Sequence, residues 1–69
     1  MIKEEIEYIN DLGYHKTLTI VPTKNGLYLM AISYRGDVVS IECDCTEERV
    51  RKFRKKILNH KKVLAIKNI

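Results

Sequence analysis

Two turn signals, Lys24-Asn25-Gly26 and Arg35-Gly36-Asp37, divide the middle of the chain into three runs: TLTIV at 17–21, LYLMAISY at 27–34 and VVSIECD at 38–44. The runs are rich in β-branched and aromatic residues, which suit a pleated, half-buried surface. Antiparallel strands can be joined by loops this short, whereas parallel strands need a crossover of a dozen or more residues. The spacing therefore predicts a three-stranded antiparallel meander.

Loop length fixes which residues face each other. A two-residue turn at Arg35-Gly36 or Gly36-Asp37 places Tyr28, Met30, Ile32 and Tyr34 on one face with Val39, Ile41 and Cys43. A three-residue loop at Lys24–Gly26, with Gly26 left-handed, pairs Leu18 with Ile32 and Ile20 with Met30 and gathers the large apolar sets on that face. Pro22 then lies on the first strand of the meander, which suits an edge because proline donates no backbone hydrogen bond. The opposite face receives Leu27, Leu29, Ala31 and Val38, an apolar centre on a side that water would ordinarily see as polar.

Ile2, Ile6, Ile9 and Leu12 recur at spacings of four, three and three, the stripe of an amphipathic helix, and Gly13 suits the left-handed residue beyond its end. Further along, Thr46 is an amino cap, and Glu47 and Glu48 occupy a first turn where the helix dipole favours negative charge. Val50, Phe53 and Ile57 form a buried stripe there, with Leu58 at its flank. The expected fold is a single α+β domain over residues 1–69. It has a helix over about 2–12, the meander, a second helix over about 46–59 on one sheet face, and a short strand or helical piece at 63–68. This order of elements resembles that of double-stranded RNA-binding domains in topology. The loop PTKNG lacks the histidine of that family, and Glu47 and Glu48 stand where it places lysines, so no binding site carries over.

Charge is divided unevenly along the chain. Residues 1–48 hold four bases against nine acids, net −5; residues 49–69 hold nine bases and no acid, net +9. An acid-free basic segment suggests a polyanion partner, and it suits equally two oppositely charged elements lying side by side. Arg49, Arg51, Lys52, Lys55 and Lys56 fill the outward arc of the second helix and are the candidate phosphate contacts of a nucleic-acid-binding protein.

The leading expectation is a non-enzymatic interaction module that binds a protein partner or a second copy through the open face, at Leu27, Leu29, Ala31 and Val38, or through a strand edge. Cys43 and Cys45 stand one residue apart and read as free thiols, with Cys43 a small buried residue of its strand. With His15 and His60 they lack the paired spacing of zinc modules, so no metal and no cofactor is expected. No nucleophile motif or phosphate loop appears, and 69 residues leave little volume for a small-molecule substrate. The opening MIKEEIEYIN interrupts its apolar residues with acids, and no window approaches the ~18 apolar residues of a membrane span. A cytoplasmic protein is expected.

Overall fold

Residues Glu4–Ile9 form a strand and not a helix, which changes the architecture from the one expected. The computed structural model describes residues 3–68. Its strands are β1 (Glu4–Ile9), β2 (His15–Pro22), β3 (Tyr28–Tyr34), β4 (Asp37–Cys45) and β5 (Lys62–Asn68), with one α-helix, α1 (Glu47–His60), between β4 and β5. They build one five-stranded antiparallel sheet in the order β4-β3-β2-β1-β5, so α1 carries the chain from one edge of the sheet to the other. The expected arrangement of two helices on a three-stranded meander is therefore wrong. The segment after the helix is a strand, and β1 lies between it and β2.

The reason lies in two periodicities that coexist over six residues. Glu4, Ile6 and Tyr8 alternate with Glu5, Glu7 and Ile9, and the first set is buried while the second is half-exposed. Of the helical stripe, only Ile6 reaches the core; Ile9 takes the other face, Leu12 is 78% exposed, and Ile2 lies outside the described residues. An isolated helix of about eleven residues is marginal, whereas as a strand this segment pairs on both sides. Ile6 stands opposite Leu18 of β2 and Ile66 of β5. The turn chemistry read as a helix stop closes a hairpin instead. The Asn10 side-chain oxygen accepts from the amides of Leu12 and Tyr14 at 3.0 and 2.9 Å, and Gly13 supplies the left-handed residue of the loop at φ 84°.

The second hairpin has the register that a three-residue loop gives, Leu18 opposite Ile32 and Ile20 opposite Met30, closed by the Thr23 amide donating to Leu27 O at 2.8 Å. The strand bearing Pro22 is not an edge. Pro22 lies beyond Glu4↔Ile20, the last described pair between β1 and β2, so its missing donor interrupts none of those pairs.

The third hairpin departs from the simple alternation. Tyr34 faces Asp37 and Ser33 faces Val38 across a turn at Arg35-Gly36, but Ile32 then faces Ser40, leaving Val39 as an extra residue. A second irregularity follows between Glu42, opposite Met30, and Cys45, opposite Tyr28, with Asp44 at φ 55°. The two shifts replace Val39, Ile41 and Cys43 on the helix side with Ser40, Glu42 and Cys45. Val39 and Ile41 are exposed, as is Cys43, while Cys45 is buried.

The core is thus built from Ile6, Tyr8, Leu18, Ile20, Tyr28, Met30 and Cys45 of the sheet against Val50 and Ile57 of α1, with Ile32, Phe53 and Val63 at its margin. Thr46 caps the helix, its hydroxyl accepting from the Arg49 amide at 3.2 Å. Arg54, on the flank of the buried stripe, holds Glu4 of β1 through two hydrogen bonds of 2.7 and 3.2 Å. Glu4 is 9% exposed, and this pairing is what allows a carboxylate there. The strand assignment of β1 has a direct test in denaturant unfolding. Ile6→Ala is expected to cost about 3 kcal/mol and Leu12→Ala less than about 0.5 kcal/mol, whereas a helix with both residues on its buried stripe would lose comparable amounts at each.

Candidate functional site

An edge strand ordinarily hides its free backbone groups by being short, bulged, charged or covered. β4 has two bulges and three acids, but it is nine residues long, uncovered, and exposed from Asp37 to Asp44, with only Cys45 buried. Val38, Val39 and Ile41 are 61%, 51% and 59% exposed. Val38 faces this side by simple alternation from the turn, and the first bulge adds Ile41 to it and leaves Val39 as the extra residue. On the uncovered face the patch continues inward: Ala31 stands opposite Ile41 and Thr19, Leu29 opposite Val21, and Ser33 opposite Val38. Toward β5 the same face becomes polar, with Glu5, Glu7 and Lys67. Of the residues expected there, Leu29, Ala31 and Val38 share this face, and Leu27 sits in the β2–β3 loop beside them. Ile41 and Val39, missed in the sequence, supply its most exposed part together with Val38.

On the helix side, Ser40 and Glu42 replace apolar residues and leave the margin of the core open above β4. A notch of about 130 Å³ results, walled by Met30, Ile32 and Phe53 and rimmed by Ser40, Glu42 and Arg49. Glu42 receives two hydrogen bonds from Arg49, both 3.0 Å, and the Cys45 thiol donates to Glu42 Oε2 at 3.2 Å. The Arg49 guanidinium lies 5.3 Å from the centre of the Phe53 ring. Arg49, then Cys45, holds the Glu42 carboxyl below the ordinary carboxylate range, while burial and then Glu42 push the thiol up. A thiol so held is a structural donor and a weak nucleophile.

The basic helix is less free than its sequence suggests. Arg49 is bound to Glu42, Arg51 to Glu47 at 2.9 Å, and Lys52 to Glu48 at 3.3 Å, the last two as one-turn pairs on the helix surface. Arg54, outside the expected set, is bound to Glu4. Lys55 and Lys56 remain exposed without an ion pair among the described residues. At the end of the sheet where β3 finishes, Lys16 and Arg35 lie over the Tyr34 ring at 5.6 and 5.3 Å, and Tyr14 leans on that ring at 5.4 Å. Tyr28, at the other end of β3, is buried. At the carboxyl end of α1, Lys61 pairs with Asp11 at 2.7 Å, which lowers the Asp11 pKa.

Among the described residues, no group of three or more His, Cys, Asp or Glu side chains is placed to hold a metal ion, and no helix is long and apolar enough to cross a membrane. What the fold defines is a small antiparallel sheet covered on one face, with an open apolar edge. Compared with known proteins, the chain matches no family model, no curated protein and no solved structure.

The ionic contacts predict a stability profile with two limbs. Glu42 and Asp11 have folded pKa values below their unfolded ones, so their contributions are present above the ordinary carboxylate range and are lost as pH falls below about 4. Cys45 has a raised folded pKa, so its contribution is whole at neutral pH and declines as pH rises above about 8.5. Urea midpoints measured from pH 2.5 to 9.5 are expected to fall at both ends, the acid limb being shallow because Glu42 and Asp11 are exposed and their ion pairs are screened by water. The acid limb should flatten in Glu42→Gln and the alkaline limb in Cys45→Ala.

Proposed function

We propose that the chain is a non-enzymatic interaction module that accepts an extended polypeptide segment along the β4 edge and the adjoining apolar half of the uncovered face. Strand addition suits such an edge: main-chain hydrogen bonds supply affinity, and alternate side chains of the added strand supply specificity. The observation that supports this most is the exposure of Val38, Val39 and Ile41 on a nine-residue edge strand. Three of the strand's nine residues are acids and none is a base, so the favoured segment alternates apolar with basic residues.

The test pairs sedimentation over a wide concentration range with titration of labelled extended peptides of that pattern. Wild type is expected to self-associate or bind peptide. Ile41→Lys, an exposed change on the edge, should lose at least tenfold in affinity with its melting temperature little altered. Neither association nor peptide binding in the wild type would overturn the reading.

A second reading, contact with nucleic-acid phosphates, is favoured by one observation. Lys55 and Lys56 are unpaired among the described residues and lie toward the same end of the molecule as Lys16, Arg35 and the Tyr14–Tyr34 pair. Oligonucleotide binding that weakens steeply with salt, and weakens further in Lys55→Glu/Lys56→Glu, is expected on that reading. Binding absent at low ionic strength would remove it.

A further inference from the structure

The two edges of the sheet are unlike each other. β4 reads DVVSIECDC and holds three acids without a base; β5 reads KVLAIKN and holds two lysines without an acid, directly after Lys61. Leu64 and Ile66 of β5 are each 44% exposed, as unsuited to water as the valines of β4. Among the described residues, both strands leave one side of their backbone unpaired, because they end the order β4-β3-β2-β1-β5. They also run in the same direction, since β2, β4 and β5 all oppose β1 and β3.

From these observations we infer that the occupant of the β4 edge is the β5 edge of a second copy of this chain, joined head to tail. This deepens the proposed docking function and rests on it. A copy displaced sideways brings its β5 parallel to β4, continues the sheet and keeps both helices on one face. Its Lys62 then approaches the Asp37 end of β4, while Glu42 is already matched by Arg49 and Lys67 lies 3.8 Å from Glu7 of its own chain. Ile66 stands opposite Ile6, on the helix side of the sheet. In the copy it meets the notch above Ser40, whose 130 Å³ accommodates one aliphatic side chain. The symmetric alternatives are less favourable: β4 against β4 gathers carboxylates in one two-stranded ribbon, and β5 against β5 gathers lysines. A head-to-tail contact uses two different patches, so it leaves a free edge at each end and propagates into rings or open chains.

Edge-blocked variants provide the test. Ile41→Lys blocks β4, Leu64→Lys blocks β5, and circular dichroism with thermal melting verifies that each is folded. By analytical ultracentrifugation the wild type is expected to form a concentration-dependent ladder of species that weakens with salt. Each variant alone is expected to be monomeric. An equimolar mixture of the two should form a heterodimer and nothing larger, because only one unblocked pair of edges is available. A monomeric wild type at millimolar concentration, or a mixture that stays monomeric, would overturn the inference. So would self-association of the β5-blocked variant, which would instead identify a symmetric β4 contact and leave the β4 docking reading standing.

Discussion

The burial of Ile6 is the constraint on which the rest of the fold depends. Its side chain is fully buried, with Leu18 and Ile66 opposite it on the two neighbouring strands and the helix residues Val50 and Ile57 in the same core. A small domain buries only about 60% of its unfolded surface, so it has few positions where one side chain can join two strands and a helix. Once β1 occupies the middle of the sheet, β5 has a partner. α1 must then cross the whole sheet to deliver the chain there, and β4 is left as an uncovered edge. The exposed surface on which the proposed function rests follows from the position of the first strand.

The charge division of the sequence also acquires a physical meaning. The acidic first part and the basic last part are matched against each other within the fold. Arg54 is held by Glu4, Arg49 by Glu42, Lys61 by Asp11, and Lys67 approaches Glu7 at 3.8 Å. Of these, the Arg54 contact is the most sheltered, and the others lie in water where such pairs contribute little. Several bases that look available for a polyanion are therefore already engaged, and the surplus is concentrated toward the carboxyl end of the helix.

How much of this was legible in the sequence varies by element. The second hairpin and the helix at Glu47–His60 were readable because local signals agreed with the tertiary outcome: Gly26 for the loop, Thr46 for the cap, and a buried stripe at Val50 and Ile57. β1 was not, because six residues that satisfy both a period of 3.6 and a period of 2 leave the choice to partners distant in sequence. The faces of β4 were misread for a different reason: a bulge shifts every later side chain by one place, and alternation alone does not locate it. Asp44, a residue type that tolerates positive φ, was the one available signal for the second shift. At the candidate site, Leu29, Ala31 and Val38 were legible by parity, while Ile41 and Val39 were hidden by the bulges.

The pairing of Glu4 with Asn68 spans nearly the full described chain, so β5 closes the longest loop in the fold. The four strands from β1 to β4 are joined by successive short hairpins, so their pairings close small loops, whereas β5 closes a large one. With β5 out of place, the β1 border of the sheet would be bare and the basic strand without its partner. If that strand settles on a neighbour's β1 instead of its own, the two chains become interlocked by exchange. The long connection that brings β5 back to β1 thus makes β5 the element that two copies could trade.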